Sequence, residues 1–199
     1  MTADQCVIGP RIVVVGTTGS GKTTVAPQLA EHLGVLHVEL DALNWDPGWV
    51  DLNQTDREEF RKRVSKAVAG AAWVADGGYS SVRDLVWSKA TAVVWLNYPL
   101  WLILWRLLRR AIRHVVTKEP LWQGNTESFR RQFLSTDSIL LWALKTHGRR
   151  NRSFRQAFTQ PEHAHVTMVR HRWPTETSDW LRRVAAGHDV GLGAAVRTD

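Results

Sequence analysis

Residues 16–23 have the sequence Gly16-Thr17-Thr18-Gly19-Ser20-Gly21-Lys22-Thr23, a complete G-x-x-x-x-G-K-[ST] phosphate-binding loop. The apolar run Ile12-Val13-Val14-Val15 precedes it, and Thr24 opens a helical pattern directly after it. A strand before the loop and a helix after it are the context that this motif requires. A glycine-rich turn that only joins a strand to a helix would not need Lys22 and Thr23. We therefore predict that residues 16–24 bind a nucleoside triphosphate.

The chemistry of the loop assigns a role to each residue type. Glycines let the backbone turn tightly, so that successive N–H groups and the helix N-terminus point at phosphate oxygens. Lys22 is expected to reach the β- and γ-phosphates, and the Thr23 hydroxyl is expected to ligate Mg²⁺. We therefore expect ATP and Mg²⁺ as the cofactors.

Length and composition indicate one globular domain. The chain has 199 residues, of which 44% are apolar and 23% are charged. Its single cysteine, Cys6, excludes a disulfide framework within the chain. The first ten residues lack the basic start and apolar stretch of a secretion signal, and the most apolar segment, 98–105, is too short to span a bilayer. We expect a cytoplasmic protein without a membrane segment.

The charge is distributed unevenly along the chain. The net charge of +7 divides into −2 over residues 1–99 and +9 over residues 100–199. A basic half is typical of proteins that bind nucleic acid. It is equally typical of an arginine-rich lid that closes over polyanionic substrates. Composition leaves both alternatives open.

Apolar runs and helical patterns alternate along the chain. Strands are predicted at 12–15, 35–40, 73–75, 92–96 and 165–169. Helices are predicted at 22–33, 55–68, 81–87, 101–116, 127–134, 137–147, 149–158 and 178–186. The second of these helices begins with a capping box in which Thr55 is the N-cap residue. The order predicts an α/β fold with a parallel sheet flanked by helices.

Three polar features follow strands of this sheet. The phosphate-binding loop follows the first strand, Asp41 follows the second and Asp76 follows the third. Ligands of open parallel sheets bind beyond the carboxyl ends of the strands. We therefore expect these features to form one site, with the turn-rich segment 42–49 beside it as a functional loop.

Four stretches together resemble a known family: the loop at 16–23, Leu40–Trp49, Trp73–Arg83, and Val94–Pro99 followed by an arginine-rich helix. They are similar to P-loop kinases of the adenylate-kinase and shikimate-kinase superfamily, and more closely to bacterial adenylate-kinase-like, topology-modulation-type proteins. The resemblance implies a P-loop NTPase fold whose five-stranded parallel sheet has the order 2-3-1-4-5. It further implies one kinase domain with a core at about 11–100 and 160–187, a helical lid at about 101–159, and frayed tails at 1–10 and 188–199.

The resemblance also implies roles for the acidic residues. Asp76-Gly77 lies where adenylate kinases have Asp-Gly-Phe-Pro-Arg, whose aspartate holds the water shell of Mg²⁺. Phe-Pro-Arg is absent here, and the nearest following arginine is Arg83. Asp41 lies where shikimate- and gluconate-type kinases have an aspartate that binds the acceptor. Such a carboxylate either accepts the proton of the attacking hydroxyl or orients that hydroxyl.

The arginine-rich helix matches the adenylate-kinase pattern of two arginines four residues apart. By this resemblance Arg106 packs against the donor base and Arg110 reaches the transferring phosphate. The predicted catalytic residues are Lys22, Asp41, Asp76 and Arg110. The predicted cofactor-binding residues are Gly16, Thr17, Thr18, Gly19, Ser20, Gly21, Lys22, Thr23, Thr24 and Arg106, of which Thr23 also binds the metal together with Asp76. The predicted acceptor-binding residues are Asp41, Trp45, Trp49, Gly77, Tyr79, Arg83 and Arg150.

Taken together, these features predict an ATP-dependent phosphotransferase that acts on a nucleotide or a hydroxylated metabolite, with the nucleotide favoured because of the arginine-rich lid. One alternative is an ATP-binding regulatory protein that contacts nucleic acid through its basic half. Another is a kinase with a macromolecular acceptor. No helix-turn-helix, RNA-binding aromatic motif or basic tail supports the first alternative.

Overall fold

The computed structural model of the chain describes residues 8–117 and 136–188, with side chains described at 8–110 and 147–188. The strands are β1 (Arg11–Gly16), β2 (Leu36–Glu39), β3 (Trp45–Asp46), β4 (Val50–Asp51), β5 (Trp73–Asp76), β6 (Ala92–Leu96) and β7 (Thr167–His171). The helices are α1 (Lys22–Leu33), α2 (Leu40–Asn44), α3 (Leu52–Thr55), α4 (Arg57–Ala67), α5 (Arg83–Trp87), α6 (Leu100–Thr117), α7 (Thr136–Phe158) and α8 (Pro174–Ala185). Two 3₁₀ turns lie at Ser80–Val82 and Pro161–His163.

The main sheet has five parallel strands in the order β2-β5-β1-β6-β7. Counted along the chain, this is the predicted order 2-3-1-4-5, so the predicted fold class is confirmed. The register pairs Glu39 with Asp76 and Gly16 with Leu96 at the carboxyl ends of the strands. The polar residues that follow these strands therefore meet at one edge of the sheet.

Both faces of the sheet are covered, as the apolar central strand predicted. In β1, Ile12 and Val14 pack with helices α1, α6 and α8, while Val13 and Val15 pack with α4, α5 and α7. All four side chains are at most 1% exposed. A parallel strand with helices on both sides must be apolar at every position, which explains the unbroken run of β-branched residues.

Several predicted boundaries are wrong by small amounts. The N-cap of α4 is Asp56 rather than Thr55, because the Asp56 Oδ1 atom accepts from the Glu59 N–H at 3.0 Å. The last strand begins two residues later than predicted, and α8 begins at Pro174 rather than Ser178. The core also starts before residue 11, since Ile8 is fully buried within it.

Two predicted segments differ in kind. The helices predicted at 137–147 and 149–158 form the single helix α7, which continues through Gly148. The segment predicted as a loop at 42–49 contains the end of α2 and most of an antiparallel hairpin, β3–β4. The helix predicted at 127–134 and the outer parts of both predicted tails lie outside the described residues. Among the helices described here, none combines the length and the apolar character needed to cross a bilayer.

Candidate active site

The phosphate-binding loop connects β1 to α1. Gly19 and Gly21 have φ values of 79° and 95°, which side-chain-bearing residues rarely adopt. A Cβ atom on Gly16 would lie 2.5 Å from the Ser20 Oγ atom and 2.8 Å from the Leu96 carbonyl oxygen. Ser20 is fully buried, and its Oγ atom has no hydrogen-bond partner among the described residues. The loop is therefore closely folded and contains a polar group without a partner, as a ligand-binding loop would.

Two basic side chains hold the loop in place. The Lys22 Nζ atom donates to the Thr17 carbonyl oxygen at 3.2 Å, and the Arg106 Nη1 atom donates to the Ser20 carbonyl oxygen at 2.9 Å. The Arg106 guanidinium also lies 5.1 Å from the centre of the Tyr98 ring. Arg106 thus supports the loop from α6, and its predicted contact with the donor base stays a prediction.

Lys22 lies at the centre of a group of charges. Burial lowers the pKa of Lys22; Asp41 and then Asp76 oppose that shift, while Arg150 and Arg110 add to it. The four groups come from four different elements of the fold, and each is close enough for its charge to act on the ammonium. The structure therefore brings together the four predicted catalytic residues, with Arg150 from α7 as the fifth member.

Asp41 lies in the first turn of the short helix α2. The Tyr79 hydroxyl donates to the Asp41 Oδ1 atom at 2.7 Å, which fixes the carboxylate at the carboxyl end of the sheet. Burial, followed by the charge of Asp41, raises the pKa of Tyr79, so the phenol remains protonated and a donor. The sequence predicted both residues for the acceptor site, and the structure joins them directly.

Asp76 is the most deeply buried carboxylate of the site, with 2% exposure. Burial raises the pKa of Asp76 to about 6; Lys22 opposes this shift and Asp41 adds to it. The His37 Nε2 atom lies 3.5 Å from Oδ1, yet neither carboxylate oxygen has a hydrogen-bond partner among the described residues. A buried carboxylate in this state is suited to a cation or its bound water.

Three further predicted residues border the space beside Asp76. Gly77 has a φ value of 140°, and a Cβ atom there would lie 2.8 Å from the Leu40 Cβ atom. Arg83 packs over the Trp87 and Phe154 rings, 5.2 and 5.6 Å from their centres. Gly77, Tyr79 and Arg83 line one small cavity together with these rings. This cavity is small and mostly apolar, and Asp41 does not line it, so it adjoins the predicted acceptor site through Tyr79 rather than containing that site.

The two predicted tryptophans lie in the β3–β4 hairpin region. The Trp45 and Trp49 rings contact each other edge to face, with centres 5.6 Å apart. The hairpin is attached to α4 by Arg63, whose Nη1 atom donates to the Asp46 Oδ1 atom at 2.6 Å. Their predicted role in binding the acceptor stays a prediction.

Sequence reasoning missed two residues at this site. Glu39 ends β2, and the register places it opposite Asp76; its position two residues before Asp41 is a signal that points to it. The His147 Nδ1 atom lies 3.3 Å from the Thr17 Oγ1 atom. No sequence pattern indicates that contact, because the two residues are 130 positions apart.

Comparison with known proteins identifies relatives of this chain. The shikimate kinase of Nostoc punctiforme is 30% identical over 135 residues, which cover 62% of this chain and 74% of that protein. The shikimate kinase of Thermosynechococcus vestitus is 31% identical over 124 residues, which cover 57% of this chain and 68% of that protein. A gluconokinase structure from Sinorhizobium meliloti matches 91% of this chain and 92% of its own with a TM-score of 0.50 at 20% identity, which supports the fold alone. No family model matches the chain.

Proposed function

Because the chain belongs to the P-loop kinases of the adenylate-kinase and shikimate-kinase superfamily, we propose that it transfers the γ-phosphoryl group of ATP to a hydroxyl group of a small, negatively charged metabolite. The observation that carries the proposal is the position of Asp41. Its carboxylate is held by the Tyr79 hydroxyl at 2.7 Å and acts electrostatically on Lys22. A hydroxyl bound by Asp41 would therefore stand beside the residue that binds the donor phosphates.

The ATP-binding side of the site consists of the phosphate-binding loop and the basic side chains that contact it. Backbone N–H groups at the start of α1 attract phosphate oxygens, and Lys22 adds a positive charge. Arg110 and Arg150 lie near enough to act electrostatically on Lys22. Their guanidinium groups are suited to stabilise the negative charge that spreads over the phosphoryl oxygens during transfer. Catalysis here is mainly positioning and charge neutralisation, because phosphoryl transfer through a loose transition state needs little covalent chemistry.

The residues present fit a magnesium ion. Asp76 offers two buried oxygens that have no hydrogen-bond partner among the described residues, and the hydroxyl-bearing Thr23 lies in the first turn of α1. The described part of the chain contains no group of three His, Cys, Asp or Glu residues that could hold a metal ion by itself. Mg²⁺ rarely needs such a group, because one or two protein ligands, water and substrate phosphates complete its coordination shell. When bound, the ion would neutralise charge on the β- and γ-phosphates.

The acceptor side favours an anionic molecule. Arg83 borders the cavity, and the Arg150 Nη1 atom would be 3.9 Å from a Cβ atom on Gly78 at the same edge. Arg150, which interacts electrostatically with Asp41, and Arg83, which lines the adjoining cavity, are suited to an acceptor that carries a carboxylate or phosphate as well as a hydroxyl. A hydroxylated acid is favoured over a nucleotide as the acceptor, because the two relatives described above are both shikimate kinases.

The experiment is transfer of phosphate from γ-labelled ATP with Mg²⁺ to a panel of acceptors. The panel contains shikimate, gluconate, other hydroxylated acids, nucleosides and nucleoside monophosphates. We expect transfer to a hydroxylated acid, and a loss of about a hundredfold or more in Lys22→Ala and Asp41→Asn. Transfer only to nucleoside monophosphates would overturn the acceptor class. Tight ATP binding without transfer to any member would overturn the proposal of a small acceptor.

The regulatory alternative makes a different prediction. A protein that contacts nucleic acid through several phosphates loses about 10³-fold or more in affinity between 50 and 200 mM salt, but retains specific binding at the higher value. We expect any binding of this basic chain to duplex DNA to vanish at 200 mM salt. Retained binding at 200 mM salt would favour the regulatory alternative.

The expected cytoplasmic location remains a prediction.

A further inference from the structure

A series of hydrogen bonds runs from the last strand to the phosphate-binding loop. With the Asn97 amide oriented so that its oxygen faces Arg170, the Arg170 Nε atom donates to Asn97 at 3.0 Å and the Asn97 amide nitrogen donates to the Asn151 Oδ1 atom at 2.9 Å. The Asn151 Nδ2 atom lies 3.2 Å from the His147 Nε2 atom, and the His147 Nδ1 atom lies 3.3 Å from the Thr17 Oγ1 atom. Four separate parts of the chain are joined in this way: β7, the end of β6, α7 and the loop.

The directions of these bonds follow from the guanidinium of Arg170 and from the orientation of the Asn151 amide. A guanidinium has only donors, so Asn97 must accept from Arg170 and donate onward with its nitrogen. In the orientation that the structure gives Asn151, its oxygen accepts from the Asn97 nitrogen at 2.9 Å and its nitrogen donates to the His147 Nε2 atom at 3.2 Å. His147 is thereby assigned the tautomer with hydrogen on Nδ1, which donates to the Thr17 hydroxyl. Arg170 is itself held over the Trp95 ring, 4.7 Å from its centre, so the series starts from a fixed point.

His147 lies one helical turn before Arg150 on α7. Residues three apart on a helix share a face, so a contact that fixes His147 also fixes the turn of α7 from which Arg150 extends. Arg150 acts electrostatically on Lys22, and Thr17 is the residue whose carbonyl oxygen accepts from Lys22 at 3.2 Å. The bond between His147 and Thr17 therefore joins the helix that carries Arg150 to the loop that carries Lys22.

We propose that His147 is a positioning residue that fixes α7, and with it Arg150, against the phosphate-binding loop through the Thr17 hydroxyl. The role that Arg150 then plays in phosphoryl transfer rests on the proposed function. The bond between His147 and Thr17 does not rest on the proposed function, because it joins two groups of this chain. Two independent measurements test the His147–Thr17 bond and the role of Arg150 separately.

The first measurement is the tautomer of His147, read from the nitrogen chemical shifts of the imidazole in the whole chain at pH 7.5. We expect hydrogen on Nδ1 and a bare, hydrogen-bonded Nε2 in the wild type. We expect this signature to be lost in Thr17→Val. Hydrogen on Nε2 in the wild type, or an unchanged signal in Thr17→Val, overturns the inference whatever the enzyme phosphorylates.

The second measurement is turnover of His147→Ala alone and combined with Arg150→Ala. Loss of one neutral hydrogen bond is expected to lower kcat about three- to tenfold, while ATP affinity changes less than about twofold. In the Arg150→Ala background the same substitution should have no further effect, because residues that act through one another are not additive. Equal losses in both backgrounds would show that His147 acts independently of Arg150 and would overturn the proposal.

Matched variants distinguish positioning from folding. His147→Asn keeps a donor near the place of Nδ1 and is expected to recover most of the lost kcat, whereas His147→Gln is not. Gln156→Ala, on the exposed side of the same helix, should behave like the wild type. If the wild type transfers phosphate to no acceptor, the proposed function fails. ATP hydrolysis is then measured in the same variants, and the tautomer still decides the inference.

Discussion

Asp76 is the residue at which function opposes stability most clearly. Burial first, and the charge of Asp41 after it, raise the pKa of this carboxyl from 3.8 to about 6, although Lys22 acts in the opposite direction. A carboxyl whose pKa is higher in the folded state releases its proton more easily from the unfolded chain. This group therefore lowers the free energy of unfolding as the pH rises from about 4 to 6, and the deficit persists above pH 6. A bound cation would offset the effect of burial, because a positive charge beside the carboxylate favours its ionised form.

We predict that Asp76→Asn is more stable than the wild type at pH 8, in the absence of nucleotide. Each pKa unit corresponds to about 1.4 kcal/mol, so the expected gain in the free energy of unfolding is about 1–3 kcal/mol. Phosphate transfer should fall roughly 10- to 100-fold, as for other groups that support a metal. Urea unfolding at pH 4 and pH 8 checks the first part. The gain must shrink at pH 4; a gain of equal size at both values would assign it to packing instead.

The chain contains two tyrosines, which provide a matched pair of variants. The Tyr79 hydroxyl donates to Asp41 at 2.7 Å, and the Tyr98 hydroxyl shares a hydrogen bond with the Thr177 Oγ1 atom at 2.6 Å. We predict that Tyr79→Phe lowers kcat/KM for the acceptor about tenfold, because a hydrogen bond to a charged group is lost. Steady-state kinetics with ATP saturating checks this.

Tyr98→Phe retains the ring under Arg106 and is expected to change thermal stability rather than the acceptor KM. If both variants change the acceptor KM equally, the Asp41–Tyr79 pair is not the acceptor site.

How much the sequence reveals differs from residue to residue. Asp41 and Asp76 were predicted because each directly follows a strand, and parallel strands bring such ends together. Tyr79 was predicted only as a neighbour of Asp76, and its bond to Asp41 depends on how two loops fold toward each other. His147 and Asn97 have no local pattern at all. Their partners are far away in sequence, so only the packed fold reveals them.

At the scale of elements, the strands of the main sheet follow local rules, whereas the segments at its edge do not. An apolar run between turns identifies β1 or β6 directly. The β3 and β4 strands have two residues each, too few for any alternation to be visible. The predicted break at Gly148 reflects a helix propensity about 1 kcal/mol below that of alanine. Packing of Phe154 and Ala157 in the core outweighs it, and α7 is continuous.

The turn after β5 depends on Gly77. Its φ value is 140°, and a Cβ atom would lie 2.8 Å from the Leu40 Cβ atom, at the start of the helix that carries Asp41. We predict that Gly77→Ala lowers the free energy of unfolding by about 2–4 kcal/mol, through backbone strain and the displacement of α2. Urea unfolding measures the loss.

The control is Gly70→Ala, where the nearest atom to the added Cβ is 3.9 Å away. This variant should differ from the wild type by less than about 0.5 kcal/mol. Because Gly→Ala substitution by itself restricts the unfolded chain and favours folding, a similar loss in both variants would show that the close approach to Leu40 is not the cause of the loss at Gly77.

For the whole molecule, part of the uneven charge lies at the site. Arg106 and Arg110 lie on α6 and Arg150 lies on α7; Arg106 binds the phosphate-binding loop, and the other two act electrostatically on Lys22. Gathering cations around one site leaves mutual repulsion that a polyanion relieves. These three arginines account for part of the +9 charge of residues 100–199, and that part needs no nucleic acid to explain it.

We predict accordingly that ATP with Mg²⁺ stabilises the whole chain strongly. At a hundred times its dissociation constant, a ligand that binds only the folded state adds about 2.7 kcal/mol. For a domain of this size, that corresponds to a rise of roughly 5–10 °C in Tm. Phosphates bound at the loop would lie in a partly buried group of charges, so most of the rise should persist at 200 mM salt. Lys22→Ala should lose the rise, and Mg²⁺ alone should produce a smaller one that disappears in Asp76→Asn. A rise that vanished at 200 mM salt, or that survived in Lys22→Ala, would mean that ATP binds to the basic surface rather than to the phosphate-binding loop.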